Sequence, residues 1–273
     1  MNNFDLIHKI DLEMFSEFKK ICTKYSLNYY VIGGTFLGAI RHKGFIPWDD
    51  DMDIAMPRAD YELFIKKYYK ELPSNLDLIT FENNEKYRYY LPRIVDKNYE
   101  IQEKRYEELN EKSNIFIDIF PIDGTPNNVF VRKLYFFRIL FLRLLNSWYY
   151  IDTIDKSRKR TKFEKILILI GKIIPFKLFI KPKKVLKKID NLMKKYDMNN
   201  SKYSGTIMGA YRIKEIVPTE YFGKPTKYKF EDTEVTGPEH YDLYLTHMYG
   251  DYMKLPRNVN SNQHMINIKK IGD

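Results

Sequence analysis

A run of acidic residues leads into a predicted strand. Residues 49–54 read Asp-Asp-Asp-Met-Asp-Ile, and Met52–Met56 has the apolar character of a strand that ends before Pro57. Asp51 and Asp53 are two positions apart, so their carboxylates would lie on the same face of that strand. Two unit charges about 4 Å apart repel by about 4 kcal/mol at an effective dielectric of about 20, so the pair requires a counter-cation. Hard oxygen ligands favour Mg²⁺ or Mn²⁺, which predicts a metal site; a solvated acidic turn is the alternative.

A second acidic position, Asp118, interrupts the predicted strand Ile115–Phe120. A lone carboxylate among apolar neighbours is costly unless it is paired or bound to a metal. We expect Asp118 to be the third metal ligand, and an ion pair with a nearby arginine is the alternative. It is also the first choice for the general base that takes a proton from an acceptor hydroxyl. Asp49 is the second choice for that base and could instead orient a ligand or a cation.

A glycine turn precedes the acidic run. Tyr29–Ile32 is a predicted strand that continues directly into Gly33 and Gly34, and Thr35 is expected to cap a short helix that ends near Arg41. Glycine lets a backbone approach phosphate closely, and a helix N-terminus supplies amide donors. A glycine pair alone marks a turn; its position just before the aspartates favours phosphate binding.

Cations and a tryptophan fill the segment between the turn and the acids. Arg41, His42 and Lys43 could neutralise a pyrophosphate in a transition state, or could form the solvated end of a short helix. Trp48 could form a wall of the site or belong to a packed turn. Together with backbone amides and a divalent ion, these groups are what phosphate chemistry needs.

Helices and strands alternate around these motifs. Apolar residues spaced by three and four predict a helix over Leu6–Tyr25. The further predicted helices are Asp60–Leu72, Val129–Trp148, Lys162–Ile174, Lys183–Tyr196 and Tyr241–Tyr249, and the further predicted strands are Leu76–Phe81 and Arg88–Val95.

Length and composition limit the class of protein. The chain has 273 residues, of which 44% are hydrophobic, enough for a substantial core in one domain with an insertion or in two small domains. Cys22 is the one cysteine, so no intrachain disulfide can form, which suits a reducing cytoplasm. Residues 1–15 lack a basic start followed by an apolar stretch, so we expect no secretory leader. No apolar run reaches about 18 residues, so we expect no membrane-spanning helix.

The positive charge is concentrated in one segment. Residues 129–195 contain 19 Lys and Arg against 4 Asp and Glu, a net charge of +15, whereas the rest of the chain sums to −5. Apolar helix faces edged with cations suit the surface of an anionic membrane. The alternative is a helical subdomain whose apolar faces pack on each other.

Four motifs together resemble the LicD family, which includes fukutin and fukutin-related protein. They are Gly-Gly-Thr-Phe-Leu-Gly-Ala-Ile-Arg-His at 33–42, Phe-Ile-Pro-Trp-Asp-Asp-Asp-Met-Asp-Ile at 45–54, Phe-Ile-Asp-Ile-Phe-Pro-Ile-Asp-Gly at 116–124, and Leu-Thr-His-Met-Tyr-Gly-Asp-Tyr-Met-Lys-Leu-Pro at 245–256. The resemblance therefore covers nearly the whole chain, and 129–195 is its least diagnostic part.

The resemblance implies an α/β (α+β) fold of the nucleotidyltransferase type, a mixed sheet flanked by helices with a basic helical insertion. By motif position, Gly33, Gly34 and Thr35 would approach nucleotide phosphates, and Asp51, Asp53 and Asp118 would hold Mg²⁺ or Mn²⁺. Residues 1–128 would form the catalytic core, 129–197 the insertion, and 198–273 a C-terminal part that completes the catalytic domain. The structural zinc of fukutin-related protein is not expected here, because the chain has no set of cysteines.

The resemblance further implies transfer of phosphocholine from CDP-choline to a hydroxyl of a cell-surface glycan, a teichoic acid or lipopolysaccharide precursor, with release of CMP. Ribitol phosphate, glycerol phosphate or phosphoethanolamine from the matching CDP donor is the alternative. A lipid-linked acceptor would place the enzyme in the cytoplasm at the inner face of the membrane. Choline recognition would need aromatic faces, for which the candidates are Tyr87, Tyr89, Tyr90, Tyr211, Tyr249 and Tyr252.

Two other classes of protein are weighed against this one. A nucleic-acid-binding or nucleotide-adding protein would use the same cations and aromatics, but these cluster away from the acidic site and alternate with aliphatic residues. No nucleic-acid partner is therefore expected. A non-catalytic membrane scaffold would have no need of three acids.

Overall fold

A mixed sheet forms the centre of the computed structural model, which describes residues 3–103, 112–154, 160–256 and 265–271. The strands of this sheet are β1 (Tyr30–Val31), β2 (Asp53–Pro57), β3 (Leu76–Ile79), β4 (Arg93–Glu103), β5 (Lys112–Gly124), β6 (Tyr203–Gly205), β7 (Ile216–Pro218) and, after the hairpin β8 (Thr226–Phe230) and β9 (Thr233–Gly237), β10 (Met265–Lys270). The order is β1-β2-β5-β4-β10, with β3 on β4 and with β6 joining β5 to β7. β2 and β5 are parallel, and the other pairs are antiparallel.

Helices flank the sheet, as the resemblance implies. They are α1 (Asn3–Lys24), α2 (Gly33–Arg41), α3 (Arg58–Lys66), α4 (Val129–Tyr149), α5 (Lys162–Ile173), α6 (Pro182–Met193) and α7 (Tyr241–Tyr249). Short 3₁₀ turns lie at Tyr68–Glu71, Ile151–Thr153, Phe176–Leu178, Met198–Asn200, Arg212–Glu215 and Thr219–Tyr221. The α/β architecture expected from the motifs is confirmed.

The main core lies between α1 and the sheet. The residues of α1 whose spacing predicted an apolar face are buried there: Ile7, Ile10, Met14, Phe18 and Ile21. The strand cores contribute further aliphatic residues, such as Ile54, Ile117 and Ile119, none of which is exposed. Burial of this apolar surface is the main source of stability for this part of the chain.

A second hydrophobic cluster joins α4 and α6 to the rest of the molecule. Its buried members are Phe81, Tyr90, Tyr135, Ile139, Val185, Leu186, Ile189, Met193 and Ile207. The helices of 129–197 thus pack partly on residues outside that segment. The division of the chain at 128 and 197 stays a prediction.

Ion pairs around Arg58 connect α3, β5 and α6. The Arg58 guanidinium donates from Nε to Asp123 Oδ1 at 2.7 Å and from Nη1 to Asp190 Oδ1 at 2.9 Å. The Tyr90 hydroxyl donates to the same Asp190 oxygen at 2.8 Å. Burial opposes charge on Arg58, but its anionic neighbours raise its pKa above the ordinary arginine value. This network fixes α6 to the sheet.

The structure corrects four local predictions. The strand expected at Arg88–Val95 begins only at Arg93, and the helix expected over Asp60–Leu72 ends at Lys66 and is followed by the 3₁₀ turn. Thr35 is not a cap, because α2 already starts at Gly33 and the Thr35 hydroxyl accepts from the Asp53 amide at 2.9 Å. Residues 197–240, for which no helix or strand is predicted, contain β6–β9.

Within the ranges that the structure describes, no helix is both long enough and apolar enough to cross a bilayer.

Candidate active site

A cavity of about 690 Å³ lies beside the start of β2 and collects the acidic motifs. Its glycines are Gly33 and Gly34, its acids are Asp49, Asp51, Asp53, Asp118 and Glu215, its arginines are Arg88, Arg93 and Arg143, and its aromatics include Phe116, Phe120, Tyr89, Tyr90, Tyr211, Tyr244 and Tyr249. The three acids predicted to bind a metal therefore share one cavity with the glycine turn.

Asp53 and Asp118 are neighbours across the parallel pair β2–β5, where their Cα atoms are in register. Residues in register on adjacent strands have side chains on the same face, so both carboxylates meet the cavity. Burial, followed by the charges of Asp51, Asp118, Asp49 and Glu215, raises the pKa of Asp53 well above its usual value. The site is thus crowded with negative charge and would be stabilised by a cation.

Arg93 occupies the register position opposite Asp118 on the other side, in β4. Its Nε donates to Asp118 Oδ1 at 2.9 Å, and its Nη1 donates to Glu103 Oε1 at 3.0 Å. Burial opposes the charge of Arg93, but Asp118 in particular raises its pKa above the ordinary value. The ion pair considered from the sequence is therefore present, and one of the two Asp118 oxygens is engaged in it.

The glycine turn lies in close contact with two of the acids. Gly33 has φ +59°, and a Cβ there would lie 2.8 Å from Asp53 Oδ2; a Cβ on Gly34 would overlap the Asp49 carboxylate. Only glycine permits this approach without displacing the acids. Ile32, the residue that precedes α2, supplies no side-chain acceptor to the first turn of the helix. Thr35 is buried behind the turn and positions the Asp53 backbone.

The cations predicted from the sequence lie elsewhere. Arg41 Nη1 donates to the Tyr252 carbonyl at 2.9 Å, His42 packs edge-on against Trp48, and Lys43 is exposed with φ +61°. Trp48 is half-buried against the main core. In the part of the chain that the structure describes, none of these four residues lines the cavity. Their roles in substrate binding stay predictions.

Three arginines missed by the sequence analysis line the cavity in their place, and Arg143 comes from the basic helical segment. Its guanidinium donates to the Ile207 and Gly209 carbonyls. Burial, followed by the nearby charge of Arg212, lowers the pKa of Arg143 to about 10. Arg143 is four residues beyond Ile139 on the buried face of α4, a spacing from which it could have been identified.

Glu215 was also missed. It is buried, accepts from the Tyr211 amide at 2.7 Å and from the Thr206 hydroxyl, and its pKa is raised chiefly by burial. It lies at the end of a 3₁₀ turn without helical or strand periodicity, so no pattern in the sequence distinguished it. Four tyrosines proposed for choline contact, Tyr89, Tyr90, Tyr211 and Tyr249, do line the cavity.

The sequence was compared with known proteins, and the matches identify its family. Residues 26–141 match the family described as LicD/FKTN/FKRP, nucleotidyltransferase domain. The chain is 31% identical over 263 residues to the lipopolysaccharide cholinephosphotransferase LicD of Haemophilus influenzae, and the match covers 93% of each chain. This protein belongs to the LicD family. Uncharacterised proteins from Rickettsia prowazekii and Rickettsia typhi are each 40% identical over 48 residues, 18% of this chain and 18% and 16% of theirs.

The LicD domain match contains the glycine turn and all three predicted metal ligands. Among the described residues, no three His, Cys, Asp or Glu side chains are already gathered in the arrangement of a metal site. The donor chemistry nevertheless fits a hard divalent ion, because Asp53 and Asp118 present carboxylates from adjacent register positions and Asp51 borders the same space. Metal binding by this LicD-family chain stays a prediction.

Proposed function

We propose that this LicD-family protein transfers phosphocholine from CDP-choline to a hydroxyl of a cell-surface glycan and releases CMP. The observation on which this depends most is the in-register pair Asp53 and Asp118 on a cavity that also contains the glycine turn. The full-length similarity to a lipopolysaccharide cholinephosphotransferase supports the choice of transferred group and of acceptor class.

The pyrophosphate of the donor would bind at the start of α2. Gly33 and Gly34 line the cavity without side chains, the Asp53 and Asp49 carboxylates lie against them, and the helix N-terminus adds partial positive charge. Arg143, on the cavity wall that α4 forms, adds a fixed cation. These groups would stabilise the negative charge that accumulates on the leaving CMP.

Asp51, Asp53 and Asp118 would hold Mg²⁺ or Mn²⁺. When bound there, the ion would screen charge on the pyrophosphate oxygens and so assist phosphoryl transfer. The high pKa of Asp53, caused by burial and by the neighbouring acids, supports this assignment because it reports a deficit of positive charge.

The acceptor oxygen would attack the phosphorus that carries choline, in line with the bond to CMP. That P–O bond breaks, its electron pair leaves with CMP, and the hydroxyl proton passes to a carboxylate of the cavity. Asp118 is our first choice for the base and Asp49 the second. Arg93 would hold Asp118 in a fixed orientation through the bond to Oδ1.

Choline would be recognised by aromatic faces. A quaternary ammonium is attracted to the faces of aromatic rings, and Tyr89, Tyr211 and Tyr249 border the cavity. Tyr211 and Tyr249 already face each other edge to face, with centroids 6.3 Å apart. The acceptor would be a teichoic acid or lipopolysaccharide precursor, lipid-linked, at the cytoplasmic face of the membrane.

The donor can be tested directly. Purified protein with Mg²⁺ and a glycan acceptor is incubated in parallel with CDP-choline, CDP-ethanolamine, CDP-ribitol and CDP-glycerol, and CMP is measured. We expect acceptor-dependent CMP release that is fastest with CDP-choline and absent after chelation of the metal. Faster release from another donor would reassign the transferred group, and release from none would overturn the proposal. Filter binding of RNA and DNA at moderate salt tests the nucleic-acid alternative, for which we expect no retention.

A further inference from the structure

An apolar stripe runs along the outer side of α4. Phe130, Leu134, Phe137 and Phe141 follow the spacing of one helical face, and they are 80%, 58%, 65% and 46% exposed. Phe137 and Phe141 stack on each other with centroids 6.3 Å apart. Monomeric proteins rarely expose contiguous apolar surface of this kind unless it serves an interaction.

The other side of α4 is already occupied. Tyr135 and Ile139 are buried in the second hydrophobic cluster, and Arg143 and Asn146 line the cavity. The helix therefore has apolar residues on two faces, of which the packing in the described structure uses one. The sequence also allowed a helical subdomain whose apolar faces pack on each other. That alternative does not account for the exposed apolar residues on the outer side of α4.

The segment that follows α4 presents more exposed apolar side chains. Phe163 and Ile173 of α5 are 68% and 71% exposed, and Leu178 and Phe179 are 77% and 75% exposed. Trp148 ties this segment to α4, because its indole Nε1 donates to the Leu167 carbonyl at 2.8 Å and its ring stacks on Phe176. We call the following eight exposed residues of the two segments the outer apolar face: Phe130, Leu134, Phe137, Phe141, Phe163, Ile173, Leu178 and Phe179.

Exposed cations flank the α4 stripe and are also present on α5. At about 100° per residue, Lys133 lies on one side of the α4 stripe and Arg138 on the other, and both are exposed. Lys165 and Lys172 are exposed on α5. The segment 129–195 as a whole contains 19 basic against 4 acidic residues and is strongly positive.

We propose that the outer apolar face docks on the surface of an anionic lipid bilayer. Its aromatic and aliphatic side chains would enter the boundary between headgroups and acyl chains, while the flanking cations would meet anionic headgroups. A second copy of the chain is a poorer occupant, because pairing two such faces would bring two strongly positive surfaces together. Since no described helix can cross a bilayer, the helices would lie in the plane of the surface.

Docking would also orient the cavity. Arg143 and Asn146 belong to the same helix as the outer stripe, so a docked α4 holds the cavity wall at a fixed position relative to the lipid. If the proposed function is right, a lipid-linked acceptor would be held next to its site, which raises its effective concentration. The docking itself does not depend on that function.

Co-sedimentation of the full chain with vesicles tests this proposal. Phosphatidylcholine vesicles with and without added phosphatidylglycerol are compared for the wild type, for Leu134→Ser with Leu178→Ser, and for the matched control Leu63→Ser with Leu243→Ser. The control leucines are 44% and 49% exposed on α3 and α7. All four are exposed, so we expect unchanged circular dichroism. A second experiment uses the double variant Lys165→Gln and Lys172→Gln. Its matched control is the double variant Lys224→Gln and Lys229→Gln.

We expect the wild type to pellet only with the anionic vesicles. Loss of Leu134 and Leu178 should weaken binding at least about tenfold, and loss of Lys165 and Lys172 by roughly fivefold per charge, with both controls near wild type. No pelleting with anionic vesicles, or equal loss in test and control pairs, overturns the proposal. So does a dimer in light scattering that the Leu134 and Leu178 changes dissociate. Vesicle binding requires no turnover, so its failure is separable from failure of the transferase assay.

Discussion

Asp53 of β2 and Asp118 of β5 lie directly opposite each other on parallel strands, and Arg93 of β4 is in register on the far side of Asp118. The three side chains thus form a row across the sheet. Asp118 is paired with Arg93, whereas the pKa of Asp53 is raised by burial and by the surrounding acids. Burial and the charges of the neighbouring acids therefore act together on Asp53, which makes this residue the most informative one to change.

Asp53→Asn should abolish turnover and leave the fold intact. The substitution keeps the size of the side chain but removes the charge that we assign to cation binding, so we expect kcat to fall by about 10²–10³ or more. Burial and the neighbouring acids disfavour the charged form of Asp53, so removal of its charge should leave Tm equal to the wild type or higher. Asp232→Asn, in the exposed turn between β8 and β9, is the control. Near wild-type turnover of the Asp53 variant would refute the assignment.

Gly34→Ala should disturb the site although it replaces no acidic residue. The added Cβ would overlap the Asp49 carboxylate, so the turn or the carboxylate must shift. We expect the KM for the CDP donor to rise about tenfold or more, since a shifted turn would no longer hold its backbone amides in position to contact phosphate. Steady-state kinetics at varied donor concentration checks this. Unchanged KM and kcat would show that the turn does not contact the donor.

Arg58→Met should destabilise the protein, because the Asp123 and Asp190 carboxylates lose their bonds to the Arg58 guanidinium. Asp123 is buried and would lose both bonds from the guanidinium, and breaking a buried pair costs about 3–5 kcal/mol. Chemical denaturation gives the free energy of unfolding. Lys66→Met is the matched control, because Lys66 also pairs with an acid of α3 but is largely exposed, and we expect about 1 kcal/mol or less. Equal losses of unfolding free energy in the two variants would mean that the Arg58 network does not stabilise the packing of α6 on the sheet.

Asp11→Asn should change how stability depends on pH. Asp11 is fully buried in α1, neither of its oxygens has a hydrogen-bond partner in the described structure, and its pKa is raised well above the usual value by burial and then by Asp51 and Asp50. The folded state therefore binds a proton more tightly than the unfolded state. Wild-type stability should fall as pH rises from about 4, the unfolded pKa, toward the folded pKa.

The Asn variant lacks this titration. Its Tm relative to the wild type should therefore increase between about pH 4 and pH 8, measured with chelator present. A Tm difference that is constant across this range would mean that Asp11 does not titrate abnormally.

The sequence predicted the elements whose patterns are local. The helix over Leu6–Tyr25 could be predicted from apolar spacing alone, because the pattern lies in neighbouring residues. The four family motifs are also local, since each is a continuous stretch of sequence. The glycine turn, the paired acids and Asp118 were accordingly found, and the cavity brings them together. The short strands β6–β9 were missed, because β6, β8 and β9 have few apolar residues, unlike the equally short β2 and β3, and β7 has only three residues.

Only the tertiary structure decided which cations face the acids. Arg41, His42 and Lys43 are close to the acids in sequence but are not among the residues that line the cavity, whereas Arg93 reaches Asp118 through the register of β4 and β5. Arg143 and Glu215 arrive from distant segments through helix packing and a 3₁₀ turn. Chemistry-bearing residue types follow from local sequence, but the partners of a buried charge depend on strand register and packing, which long-range contacts determine.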